Sequence, residues 1–365
     1  MMTTAKTNAT LLASALALVA GGALAQEVRV YNWSDYIDED LLAKFQEETG
    51  ITLIYDVFDS NEVLETKMLA GGSGYDVVVP SGTFLQRQIT AGAFQKLDKS
   101  KLPNLENMWD VVSERTEQYD PGNEYSINYM WGTTGIGVNV GMVTELLGED
   151  APIDSWSLVF DPANMEKLAS CGVHFLDAPA EMIPAALNYI GEDPDDHDPD
   201  VIAKAEEVFA PVRPYIQKFH SSEYIEALAN GNICVAVGWS GDILQARDRA
   251  VEAENGVEIV YHAPKEGAQM WFDQMAIPVD APHPDEAHVF LNFIMDAENM
   301  AAASNYVYYA NGNKASQEFL VEDVIGDPAI YPDEETLDNL FTTTPYDARV
   351  QRVVTRLWTK IKSGT

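Results

Sequence analysis

Glu27-Val28-Arg29-Val30-Tyr31-Asn32-Trp33-Ser34-Asp35-Tyr36-Ile37 is the run that decides the fold. Val28 and Val30 alternate with Glu27 and Arg29, the period of a strand with one face buried. Asp38 to Thr49 then carries Leu41, Leu42 and Phe45 at helical spacing and stops at Gly50, a residue suited to ending a helix. Between strand and helix stand two aromatics, a hydroxyl and a carboxylate: Trp33, Tyr36, Ser34 and Asp35. In open α/β sheets, ligands bind beyond the carboxyl ends of the strands. Aromatic faces together with carboxylates suit an organic cation.

The alternation continues outward from this run. Ile51–Tyr55 reads as a second strand. Asp59 and Glu62 read as a capping pair for a helix through Val63, Leu64 and Met68, closed by Gly71-Gly72. Asp76-Val77-Val78-Val79-Pro80 is a third strand whose continuous apolar run suits a sheet covered on both faces, and Ser81 sits just past it. The β-α-β-α-β order predicts a parallel sheet with right-handed crossovers. Tyr129 to Asn139 is extended, aromatic and Gly-rich, as a strand crossing between two lobes would be. Residues 140 to 260 repeat the α/β pattern, with helices near 163–169, 181–190, 201–209 and 221–229. Strands fall at Val173–Leu176, Ile233–Val237 and Val257–His262. Asp193 to Asp200 is an acidic loop broken by proline. It lacks the Asp-x-Asp-x-Asp-Gly register of a calcium loop and reads as solvated. Residues 316–365 read as mostly helical with a basic end.

The N-terminus points to export. Lys6 precedes an apolar run, Leu11 to Ala20, and Ala23-Leu24-Ala25 is a small-x-small cleavage site, so the mature chain is expected to start at Gln26. That run is too short to span a membrane, and no longer apolar run follows. The expected compartment is the periplasm. Cys171 and Cys234 are the only cysteines, and an exported even pair most often forms one disulfide, with two buried thiols as the alternative. The net charge is −36, and removing the leader with its single charged residue, Lys6, takes it to −37. Such a field repels nucleic acid and anionic membranes and otherwise speaks mainly of solubility. About 340 mature residues exceed one comfortable core, which predicts two lobes.

The usual catalytic signatures are absent: no Gly-x-Ser-x-Gly, no His-Glu-x-x-His and no phosphate loop. The six histidines are scattered, so no metal centre is expected, and export disfavours a cytosolic cofactor enzyme, so no cofactor is expected. Instead, aromatic and acidic residues recur together just past expected strands and turns. The groups are Trp33-Ser34-Asp35-Tyr36, Ser81, Glu181, Trp239-Ser240-Gly241-Asp242, Trp271-Phe272-Asp273 and Tyr308-Tyr309.

Longer runs stand beside or around several of those groups: Tyr31-Asn32-Trp33-Ser34-Asp35-Tyr36, Tyr55-Asp56-Val57-Phe58-Asp59-Ser60-Asn61-Glu62, Val79-Pro80-Ser81, Trp131-Gly132-Thr133-Thr134-Gly135-Ile136-Gly137, Phe175-Leu176-Asp177-Ala178-Pro179, Gly238-Trp239-Ser240-Gly241-Asp242, Tyr309-Ala310-Asn311 and Trp358-Thr359-Lys360. Together they resemble the periplasmic polyamine-binding proteins of ABC importers, of the putrescine-binding type, over essentially the whole mature chain. The resemblance implies the type II periplasmic-binding-protein fold: two doubly wound α/β lobes, hinged, with ligand between them. The expected segments are a leader 1–25, a first lobe 26–136, a second lobe 137–261, a return 262–315 and a C-terminal segment 316–365 packed on the second lobe. Carried over by matching motif, Trp33 and Tyr36 wall an aliphatic chain. Ser34 and Ser81 offer oxygens, Asp35 belongs to the same ligand-binding set, Glu181, Asp242 and Asp273 pair with ammonium groups, and Trp239, Trp271 and Tyr309 complete an aromatic box. The pair Cys171/Cys234 matches a family disulfide. Trp271 stands where putrescine-preferring relatives usually carry Phe, whereas Asp242 and the small Ala178 match the putrescine type. The resemblance thus leaves putrescine and spermidine both open. It also implies a monomer that docks on permease subunits, with no membrane insertion of its own.

Two other readings compete. A secreted hydrolase would use paired carboxylates beside stacked aromatics, as glycosidases do. The same fold could also bind another organic cation or act as a polyamine sensor.

Overall fold

The computed structural model describes residues 26–364. The leader read in residues 1–25, with its cleavage site, lies outside the described residues.

Among the described residues, eleven strands form one hydrogen-bonded network. In chain order they are β1 (Glu27–Trp33), β2 (Thr52–Phe58), β3 (Val77–Val78), β4 (Ser126–Asn139), β5 (Val173–Phe175), β6 (Lys218–Phe219), β7 (Val235–Trp239), β8 (Ile259–His262), β9 (Ala268–Ala276), β10 (Ala310–Asn311) and β11 (Leu340–Phe341). β1 pairs in parallel with β2 and β3, and β5 pairs in parallel with β6 and β7. Between these parallel groups run β4 and β9, antiparallel to each other.

The apolar residues gather into two cores. One holds Val28, Val30, Phe45, Leu64, Val77, Leu85, Met275 and Phe290. The other holds Trp156, Phe160, Phe175, Met182, Phe209, Val235, Ile243 and Trp358. β4 serves both: Ile127 and Tyr129 lie in the first core, and Ile136 and Val138 in the second. β9 does the same in the opposite direction, with Met275 in the first and Met270 in the second. The molecule is therefore two α/β lobes joined through a pair of crossing strands, and all 14 residues of β4 are buried.

Local chemistry explains the helix ends. Asp38 caps the helix Glu39–Thr49 by accepting from Asp40 N, and Gly50 ends it at φ 70°. The next helix, Asn61–Ala70, is capped by Ser60, whose side chain accepts from Val63 N. The capping residue is thus one position later than the sequence predicts, which leaves Asp59 free to face elsewhere. The third strand shortens to Val77–Val78. β6, β9, β10 and β11 have no counterpart in the sequence reading, β6 being only two residues long. β10 and β11 have two residues each, too few to show a period. β9 is buried on both faces, so alternation is absent.

The final helix, Ala348–Ser363, buries Val350, Val354, Leu357, Trp358 and Ile361, a stripe at helical spacing. These residues belong to the second core. Trp358 Nε1 and Lys362 Nζ both donate to Asp177, at 2.8 and 2.7 Å. Cys171 and Cys234 form a disulfide with Cα atoms 5.5 Å apart. In the loop 193–200, the Asp195 carboxylate accepts from Thr344 N and Oγ1. Asp193, Asp196 and Asp198 accept from backbone amides within the loop. Among the described residues, no group of three or more His, Cys, Asp or Glu side chains is arranged to hold a metal ion, and no helix is long and apolar enough to cross a membrane.

Candidate binding site

The carboxyl ends of the parallel strands converge on one cleft between the lobes. β1 delivers Trp33 and, just beyond it, Ser34 and Tyr36. β2 is followed by Asp59, β3 by Ser81, β6 by Ser221, and β7 ends in Trp239. The helix Pro179–Tyr189, which follows β5, presents Glu181 from its first turn. The helix Ser240–Glu252 begins directly after β7 and presents Asp242. Trp271 and Asp273, two residues apart on β9, point to the same side as the strand pleat requires. Tyr309 lies between a helix, Ala297–Val307, and β10. These twelve residues line about 410 Å³ of atom-free space.

Three acids dominate the lining, and all three are buried: Asp273 is 4 % exposed, Asp242 6 % and Glu181 9 %. Each is held by a pair of uncharged donors. Asp273 accepts from Ser81 Oγ at 2.6 Å and Tyr36 Oη at 2.7 Å. Asp242 accepts from Tyr224 and Tyr309 hydroxyls, both at 2.7 Å. Glu181 accepts from Trp239 Nε1 at 3.0 Å and from Thr134 Oγ1. None of the lining residues is a Lys or Arg. Burial therefore governs their chemistry. It pushes each carboxyl up to about 7, against the lowering pull of the hydroxyl and indole donors.

Aromatic rings supply the walls. Trp33 is anchored by its indole N–H on Val79 O at 2.9 Å and meets Trp239 edge-on at 5.4 Å. Tyr36 packs T-shaped on Tyr309 at 5.2 Å, and Trp271 packs on Tyr309 at 5.4 Å. A narrower space adjoins the cleft behind Trp33 and Trp239, lined among others by Asp59, Glu62, Phe84, Ala178 and Glu181.

Of the eleven side chains singled out in the sequence, ten line the cleft: Trp33, Ser34, Tyr36, Ser81, Glu181, Trp239, Asp242, Trp271, Asp273 and Tyr309. Asp35 does not. Its backbone adopts φ 54°, and its carboxylate pairs with Arg249 at 2.8 Å. Asp59 and Ser221 line the cleft without having been selected. Both lie just past parallel strands, but the sequence predicts the second strand to end at Tyr55 and predicts none before Ser221, so neither stood at an expected strand end. Thr134 and Tyr224 hold the acids in place, and Tyr224, within the helix Tyr224–Ala229, carries no local signal.

Residues 40–332 match the family described as bacterial extracellular solute-binding protein. The chain is 55 % identical over 359 residues to the putrescine-binding periplasmic protein SpuD of Pseudomonas aeruginosa, covering 97 % of this chain and 98 % of the relative. It is 51 % identical to the putrescine-binding periplasmic protein PotF of Escherichia coli, covering 97 % of each. A solved structure, the spermidine/putrescine ABC transporter substrate-binding protein PotD from Streptococcus pneumoniae, superposes with a TM-score of 0.75 at 31 % identity, covering 93 % of this chain and 99 % of that one.

Proposed function

This chain belongs to the bacterial extracellular solute-binding proteins, and from that premise we propose that it captures a polyamine of the putrescine and spermidine class between its lobes and delivers it to an ABC importer. The observation that carries this reading is the charge of the cleft. Three buried carboxylates are held only by neutral donors, with no cationic side chain in the lining. A buried carboxylate without a counter-charge is costly, so the missing positive charges are those of the ligand.

Each part of the cleft then has a role. Asp242, Asp273 and Glu181 pair with ammonium groups. Ser81 and Tyr36 aim Asp273, and Tyr224 and Tyr309 aim Asp242. The rings of Trp33, Tyr36, Trp239, Trp271 and Tyr309 cover the methylenes, at roughly 0.8 kcal/mol per CH₂, and a ring facing an ammonium adds about 0.5–2 kcal/mol. Lobe closure dries the site and strengthens each of these contacts. A ligand that binds the closed state better shifts the population toward it, which a permease can read. The relatives named for putrescine carry this reading to the same class of ligand. Family membership sets the hydrolase alternative aside, because these are binding proteins and not enzymes.

The reading includes an exported, periplasmic protein whose leader is removed near Ala25, acting as a monomer on its permease. In this reading residues 26–136 and 262–315 make the first lobe and 137–261 the second, the crossing strands β4 and β9 contributing to both cores, with 316–364 packed on the second. Titration calorimetry with putrescine, cadaverine and spermidine, repeated on an Asp273→Ala variant, tests the proposal. Saturable heat with at least one amine, lost in the variant, is expected. Absence of heat with all three, or unchanged binding in the variant, overturns it.

A further inference from the structure

One close contact between the crossing strands seats a cleft-lining ring, that of Trp271. Gly132 on β4 lies directly opposite Trp271 on β9 in the antiparallel register, so both positions face the same side of the sheet. A Cβ at Gly132 would lie 2.8 Å from Trp271 Cζ2, 2.9 Å from Cη2 and 3.0 Å from Ser240 Oγ. The indole therefore fills the space in which a side chain would stand. Gly132 is not among the residues with positive φ, so the backbone itself admits alanine and the requirement is one of space.

Neither partner has an easy retreat. Gly132 sits in a ladder whose preceding residue, Trp131, pairs with both Phe272 and Ala310. Two residues on, Thr134 pairs with Trp239. The indole is flanked by the Tyr309 ring at 5.4 Å. Its Nε1 is buried without a hydrogen-bond partner, so no polar contact fixes its depth and packing alone does. A side chain at 132 would lift the indole off the sheet, toward the space that Asp273 and Tyr309 also line.

We propose that Gly132 is a specificity-determining position: its missing side chain seats the Trp271 indole on the cleft floor and so sets the width of the channel left for the ligand's methylene chain. This inference rests on the polyamine reading above. Gly132 acts through Trp271, so it is a positioning residue. A smaller ring at 271 should tolerate a methyl group beneath it.

The test is a double-mutant cycle read by calorimetry with putrescine and spermidine, alongside the melting temperature of each ligand-free variant. Gly132→Ala is expected to weaken binding of both amines by at least about tenfold, the scale of one overpacked methyl. Trp271→Phe is expected to change the ratio of spermidine to putrescine affinity. The double variant Gly132→Ala/Trp271→Phe should return to within about threefold of Trp271→Phe, because the two sites are coupled. Gly132→Ala binding within about twofold of wild type, or simple additivity in the double variant, would overturn the inference. If Gly132→Ala does not fold, a double variant that folds and binds like Trp271→Phe supports it, and one that also fails to fold overturns it. A wild-type protein that binds neither amine sinks the polyamine reading instead, so the two failures are distinct.

Discussion

The carboxylate of Asp35 meets the guanidinium of Arg249 at 2.8 Å. Asp35 follows β1 of the first lobe, and Arg249 lies on the helix Ser240–Glu252, whose Ile243 and Leu244 belong to the second core. On the same helix Gln245 donates to Asp35 O and Val307 O, both at 3.3 Å, and Asp242 bonds the Tyr309 hydroxyl. The spacing 242, 245, 249 puts these contacts on one helix face. This face holds the first lobe, and Asp35 contributes a clasp across the lobes, outside the ligand site.

The clasp predicts a kinetic effect. Asp35→Asn keeps a residue that tolerates positive φ and removes the charge. Both partners are partly exposed, so the pair is worth little in a single state. Ligand release should quicken by about two- to fivefold, with the association rate nearly unchanged, in stopped-flow measurements. The difference should shrink at high salt. An unchanged release rate would remove the clasp from the account.

The buried acids predict a pH dependence. Glu181, Asp242 and Asp273 stand at about 7 in the folded protein, above the ordinary carboxylate range near 4. Between these values the ligand-free folded form holds more protons than the unfolded chain, so these groups favour folding below about pH 4 and that contribution is lost as pH rises to about 7. A bound ammonium requires the ionised carboxylate, so binding releases protons. Affinity should therefore rise from about pH 5.5 to about pH 8, and the heat measured near pH 6.5 should depend on the buffer's ionisation enthalpy. Equal affinity at both ends with no buffer dependence would show that the acids are already ionised.

Stability and binding should separate at Asp242. Asp242→Asn removes a charge that has no counter-charge in the ligand-free cleft. The variant should melt at or above the wild-type temperature at about pH 8, yet lose at least about a hundredfold in polyamine affinity, because an ammonium is left without its partner. A parallel loss of both would mean that Asp242 chiefly supports the fold.

The disulfide should act on stability alone. Cys171–Cys234 closes a sequence separation of 63 residues, and neither cysteine lines the cleft. Replacing both with alanine should lower unfolding free energy by about 2–4 kcal/mol and leave affinity within about twofold, by chemical denaturation and calorimetry.

Much of this site is legible in the sequence, for a physical reason. Parallel strands put their carboxyl ends on one side of the sheet, so Trp33, Ser81 and Trp239 can be read from local patterns. Asp59 and Ser221 also follow parallel strands, but β2 runs three residues past its expected end and β6 has only two residues, too few to show a period. The crossing strand β9 is harder, because burial on both faces erases its alternation. Tyr224 and Thr134, which aim Asp242 and Glu181, depend on packing between distant segments, and no local pattern marks them. Asp35 sits next to Ser34 in sequence, but its left-handed backbone turns it away from the cleft.

The central claim is that the ligand's ammonium groups supply the positive charge missing from this cleft. A crystal structure of the protein grown with putrescine tests it most directly. The account predicts the diamine lying between Trp33, Tyr36 and Trp271, with an ammonium nitrogen about 3 Å from an oxygen of Asp273 or Asp242. A diamine bound elsewhere, or a cleft whose carboxylates meet only water at saturating putrescine, would contradict it.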